Sequence, residues 1–219
     1  YLSLAIVGGF LASRVGIRRV VFISLLVIGV SLFLTGFTRS FLFAFFMRLI
    51  TGAGNGGSYV PIMALPAAWF AVKKRGLATG IVSGGIGAGL FLSGIILPPI
   101  IAAFGKEGWR YAWFFLGTAV FVLAFLCYAC LRDDPQEKGV SMYGGEEARK
   151  RGPQTTLYSA FQKVVAEPEL WKLGCVYFMF GFSYVIYLTF FVAYLTREMG
   201  LPPVSAGRIF AVLGILSIF

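Results

Sequence analysis

Histidine is absent from this chain, and acids are scarce: nine Asp and Glu stand among 219 residues. None of the nine lies inside a full-length apolar run. A membrane enzyme would need nucleophiles, acid–base groups or metal ligands clustered within such runs, so enzymatic chemistry is not expected. Zinc and His-dependent proton transfer have little to work with, and no cofactor or metal is expected. Cysteine is nearly absent, with three copies. Cys127 and Cys130 form a C-x-x-C, but inside an uncharged, helix-length run, where they read as small apolar packing residues. Cys175 sits in another such run. Charged residues make up 13% of the chain, against about a quarter in ordinary soluble domains.

What is present is apolar. Hydrophobic residues reach 58%, with 23 Phe, 28 Gly and a mean hydropathy of +0.85. The composition predicts an all-α integral membrane protein, in which small residues let backbones approach. The net charge of +10 does not point to nucleic acid, because the cations sit in short gaps between apolar runs. A spanning helix needs about 20 apolar residues. The charge-free intervals predict five full spans: Val20–Thr38, about Ser40–Ala68, one within Gly76–Gly105, one within Tyr111–Leu131, and Leu173–Thr196. Two partial spans, Tyr1–Ala12 and one from about Ser205, flank them. No signal peptide is visible and both ends fall inside apolar runs, so the chain reads as an internal piece of a longer protein.

The connections alternate in charge. One set holds thirteen Lys and Arg, including Arg14, Arg18, Arg19, Lys73, Lys74 and Arg75; the other holds four. The positive-inside rule places the richer set in the cytoplasm. The connection 132–172 contains "GGEEARKRGPQ", which reads as a flexible linker. In "TTLYSAFQKVVAEPELW" that follows, Leu157, Ala160, Phe161 and Val164 recur at helical spacing, with Thr155 or Thr156 as N-cap. A short amphipathic surface helix ending near Pro168 is expected.

Four motifs narrow the reading. In "GGFLASRVGIRR", Gly9, Leu11, Ala12, Arg14, Gly16 and Arg18 fall in a tight basic turn, with Ser13 among them. In "RLITGAGNGG", Arg48 lies within a span, and Arg48, Thr51, Asn55 and Tyr59 share one helical face. A charge there needs a partner or a wet cavity; the face reads either as a cavity wall or as an arginine bonded to neighbouring carbonyls. In "GLATGIVSGGIGAGLFLSG", Gly76, Gly80, Gly84 and Gly87 line one face, and Gly85 and Gly89 make a second small pair, a ladder for close helix packing. Finally, "GWR" precedes the span within Tyr111–Leu131 and "RDDP" follows it. The basic turn resembles the loop between helices two and three of the major facilitator superfamily of transporters. Ser13 stands where that family carries an acid, and Ile17 where it carries an arginine. "RLITGAGNGG" is similar to the family's helix-four motif. The "GWR" and "RDDP" pair, with "AAWFAVKKRGLATG", resembles the branch containing oxalate–formate and monocarboxylate transporters. The glycine signature of proton-coupled exporters is matched only at Gly76, Gly85, Gly89 and Gly94.

The resemblance implies a partial major facilitator helical bundle, covering helices two to eight. Residues 1–131 would belong to the N-terminal half, 132–172 to a cytoplasmic linker, and 173–219 to the start of the C-terminal half. The implied function is secondary active transport of a small organic anion by alternating access, in the cytoplasmic (inner) membrane. Arg48, Thr51, Asn55 and Tyr59, with Tyr184 and Tyr187 of the span Leu173–Thr196, would face substrate; packing is the rival role for the tyrosines. The turn Gly9–Arg18 would contact the opposite half and gate access. The expected partners are a small-molecule substrate, a coupling proton or counter-ion and the bilayer, with the protein monomeric. Efflux of hydrophobic compounds and a non-transporting receptor or scaffold are the alternatives.

Overall fold

A computed structural model of the chain describes residues 2–144, 162 and 165–217. Among the described residues seven α-helices follow in order: α1 (Leu2–Val15), α2 (Ile17–Thr35), α3 (Phe41–Trp69), α4 (Val72–Ala103), α5 (Gly108–Cys130), α6 (Pro168–Arg197) and α7 (Pro203–Leu216). Among the described residues the only β pairing is an isolated bridge between Phe70 and Tyr143. The expected amphipathic helix falls largely outside the described residues; Pro168 opens α6, at a first-turn position where its missing N–H costs nothing.

The helix ends follow local chemistry. Gly16, at φ 100°, is the single residue separating α1 from α2. Arg14 in the last turn of α1 complements the helix dipole. Ser40 is extended and its Oγ accepts from the Phe43 N–H at 3.3 Å, capping α3. α4 starts earlier than its apolar run suggests, so Lys73, Lys74 and Arg75 lie in its first turn. That is the unfavourable end for cations, so their place reflects membrane topology rather than helix stability.

α2, α4, α5 and α6 are long and apolar enough to cross a membrane. α3 has the length, at 29 residues, but not the hydropathy, because Arg48, Asn55 and its glycines dilute the apolar residues. α2 is the centre of the packing, lying between α3 and α5, with Val21 and Ser31 buried. Phe22 meets Phe125 and Tyr128, and Phe33 and Phe37 meet Phe114, with ring centroids between 4.7 and 5.6 Å apart. α1 lies on α3, α4 runs along α7, and α6 leans on α7. Most large apolar side chains point outward, Phe41 at 84% exposure and Ile81 at 70%, as a bilayer or further helices require.

The connection after α5 folds back on the α3–α4 turn. The Tyr143 N–H donates to the Trp69 carbonyl and the Ala71 N–H to the Tyr143 carbonyl, both at 3.0 Å. Trp69 Nε1 donates to the Arg132 carbonyl at 3.2 Å. The first part of the 132–172 segment is thereby attached to the first five helices.

Candidate functional site

The site begins with a hydroxyl ladder between α2 and α3. Thr51 Oγ1 and Ser31 Oγ lie 2.8 Å apart and share one hydrogen bond. Each also has a helical carbonyl within reach, Met47 at 2.8 Å and Ile28 at 2.9 Å, so neither is orphaned in the core. One turn along α2, Thr35 Oγ1 donates to the Ser31 carbonyl at 2.6 Å. Its single proton is committed there, so toward any other group Thr35 Oγ1 can only accept. Arg48 Nη2 donates to it at 2.8 Å. The guanidinium also lies over the Trp113 ring of α5, 4.4 Å from its centroid, a cation–π contact. Arg48 is thus held by α2 through Thr35 and by α5 through Trp113.

No carboxylate lies within 4 Å of Arg48 among the described residues; the ion pairs there are Glu107–Arg110 and Glu169–Lys172. One N–H of the fork is used and the residue is exposed. The arrangement offers a fixed positive charge with donors to spare, which suits a planar oxyanion.

The other residues of the expected face divide. Asn55 and Tyr59 are exposed along α3, two and three turns from Arg48. Thr51, at 9% exposure, faces α2, where Ser31 offers it a partner. Tyr184 and Tyr187 are exposed on α6, stacked or tilted on Phe180 at 5.8 Å and Phe191 at 4.8 Å. α6 packs mainly on α7, so these tyrosines are not brought against Arg48.

The basic turn is tied to its own half of the chain. Arg18 Nε donates to the Tyr128 carbonyl at 2.7 Å, and its guanidinium sits 4.1 Å from the Tyr128 ring centroid. The Arg18 N–H donates to Asp133 Oδ1 at 2.6 Å, so a carboxylate caps α2 where Gly16 has no side chain to do so. The same carboxylate crowds Gly16, and a Cβ there would collide with it. Ser13 Oγ donates to the Phe10 carbonyl at 2.7 Å, and Arg14 lies over the Phe10 ring at 4.6 Å. Gly9 lies within α1.

The glycines of α4 divide as well. Among the described residues, a Cβ at Gly76, Gly80, Gly85 or Gly89 would meet nothing within 4 Å. The close approach of α4 is made by Gly94, whose Cβ would lie 2.7 Å from the Gly207 carbonyl of α7, and by Gly87, whose carbonyl faces Gly214. Gly84 is half-buried on α4. The small faces of α4 were legible, but not which of them α7 would use.

Sequence reasoning missed Thr35, Trp113 as a charge partner, and Asp133. Ser24, Ser31 and Thr35 recur at helical spacing within an apolar run, a signal that was available. Asp133 lies within "RDDP", 115 residues from its partner, and no spacing rule links them.

The chain is 28% identical over 209 residues to the "Probable sulfoacetate transporter SauU" of Cupriavidus necator, covering 91% of this chain and 46% of that protein. It is 25% identical over 227 residues to the "Probable galactarate/D-glucarate transporter GudP" of Escherichia coli, covering 94% and 49%. It is 24% identical over 198 residues to the "Hexuronate transporter" of Bacillus subtilis, covering 89% and 44%. The chain therefore spans about half the length of these relatives. The profile described as Major Facilitator Superfamily matches residues 1–219, from the basic turn through the Arg48 helix to α7, and the chain belongs to that superfamily.

Proposed function

We propose that the chain forms about half of a secondary transporter that carries a small organic anion across the membrane by alternating access. The observation that carries this reading is Arg48: an intramembrane guanidinium, fixed by Thr35 and Trp113, with no carboxylate beside it among the described residues. An unpaired charge at membrane depth is costly, and an anionic solute that supplies the missing counter-charge is the economical solution. The relatives named above carry sulfonate or sugar-acid substrates in their names, which favours small, hydroxylated or sulfonated anions over simple monocarboxylates. Asn55 and Tyr59 would extend the polar contact surface along α3, and Tyr184 and Tyr187 would face it from the second half. The turn around Gly16 would act in gating, with Asp133 supplying the acid that Ser13 lacks. The protein would reside as a monomer in the cytoplasmic membrane and use a proton or counter-ion for coupling.

The test is uptake of radiolabelled sulfoacetate and galactarate by the full-length protein in proteoliposomes. Arg48→Ala is expected to abolish uptake while membrane insertion, measured by extraction and size-exclusion profile, is unchanged. Wild-type rates in the variant would overturn the assignment.

A further inference from the structure

Two helix starts in this fold lack what a helix start needs. α2 begins after Gly16 and α4 after Ala71, and neither residue has a side chain that caps. Both first turns carry cations, Arg18 and Arg19 in one and Lys73, Lys74 and Arg75 in the other, at the end where the helix dipole repels them. Each start is held from outside, and by the same short segment. Asp133 Oδ1 accepts the Arg18 N–H at 2.6 Å. Further along, the Tyr143 carbonyl accepts the Ala71 N–H at 3.0 Å, and Tyr143 gives its own N–H to the Trp69 carbonyl.

The segment between these contacts has a structure of its own. Pro135–Lys138 form one 3-10 turn, capped by Asp134, whose Oδ1 accepts the Gln136 N–H at 3.1 Å, and Pro135 is buried. Gly139 at φ 66° closes the turn, and the Val140 N–H donates to the Pro135 carbonyl at 3.3 Å. Trp69 shuts the loop. Its carbonyl takes the Tyr143 N–H, while its Nε1 donates to the Arg132 carbonyl at 3.2 Å, next to Asp133. One tryptophan thus joins both ends of the segment. Release of either end loosens the other, because one structured turn spans them and Trp69 bonds to each.

We propose that residues 132–143 couple the α1–α2 turn to the α3–α4 turn, so that the starts of α2 and α4 open and close together. Its meaning for transport rests on the gating role proposed above for the turn around Gly16. α4 packs along α7, so the coupling carries the state of that turn to the α4–α7 contact. The readout is amide exchange rather than uptake, so the two readings fail separately.

The test is hydrogen–deuterium exchange of the full-length protein in detergent, resolved to the peptides that hold Arg18 and Ala71. Asp133→Ala should raise exchange at Ala71, and Tyr143→Pro should raise it at Arg18, each by roughly fivefold, the low end of coupling between distinct sites. Residues 25–30, in the middle of α2, should keep their wild-type rates, which separates coupling from general loosening. Variants that each affect only their own end would overturn the proposal. A second measurement removes no contact. A Cβ placed at Gly144 lies 3.5 Å from the Ala71 Cβ, within the span of a disulfide. With the other cysteines replaced by serine, Ala71→Cys combined with Gly144→Cys should slow exchange at Arg18 when oxidised and restore it when the same sample is reduced. Exchange at Arg18 that ignores the redox state would overturn the proposal, whether or not the first two variants fold.

Discussion

At the scale of single residues, Arg48 is defined by what holds it. Thr35 accepts one N–H and Trp113 lies under the plane, which fixes the position and tilt of the charge. Thr35→Val removes the acceptor but keeps the shape. The expected result is a loss of roughly 1 kcal/mol of stability, within the range for intramembrane hydrogen bonds, together with slower uptake. Thermal denaturation in detergent and proteoliposome uptake measure the two effects. Arg48→Lys keeps the charge but not the planar fork or the stack. A drop in kcat/KM of about tenfold or more is expected, equivalent to one lost charge-assisted hydrogen bond. Lysine at wild-type efficiency would mean that only the charge matters. Arg48 itself was legible as a lone cation in an apolar run. Its partners were harder to read: the hydroxyl stripe Ser24, Ser31 and Thr35 marks a polar face of α2, but no spacing rule joins Thr35 to a cation 13 residues away on another helix.

At the scale of helices, the junctions carry the information. α1 and α2 meet at Gly16, whose positive φ and contact with Asp133 leave no room for a side chain. Gly16→Ala is expected to destabilise the protein by roughly 1–3 kcal/mol, from backbone strain in the left-handed region. Asp133→Ala should cost about 1 kcal/mol by removing the cap of α2, and Asp133→Asn less, since an amide oxygen still accepts. Melting temperatures of the three variants would rank them; a wild-type value for Gly16→Ala would remove the argument. α4 supplies a second contrast. Gly207→Val should disrupt α7 against Gly94, whereas Gly80→Ala should be nearly neutral in this part of the fold, since nothing lies within 4 Å of its Cβ. Helix positions were largely readable from charge-free intervals, because bilayer thickness sets their length. Their boundaries moved where a polar group could join a helix end, as with Lys73–Arg75 in the first turn of α4. Packing faces were not readable: small residues advertise that two helices can approach, but the partner is chosen by the whole set of neighbours.

At the scale of the whole molecule, orientation rests on the distribution of Lys and Arg. A cysteine replacing Lys73 should react with a membrane-impermeant maleimide only from the cytoplasmic side, and one replacing Arg39 only from outside. The reverse pattern would invert the topology and put the Arg18–Asp133 contact on the wrong face for the proposed gate. The family and the order of the helices were accessible from motifs spread along the chain. The solute was not, because half the length of the relatives lies outside this chain and a cavity is closed by both halves.

The backbone clasp between Tyr143 and the α3–α4 turn also bears on how the gene could be divided. If the two portions were expressed as separate polypeptides, a break placed after Gly144 would leave the first five helices with the segment that fastens them. A break just after Leu131 would strip away Asp133 and Tyr143 together, freeing both the start of α2 and the bend before α4. Complementation by co-produced fragments should succeed with the first boundary and fail with the second.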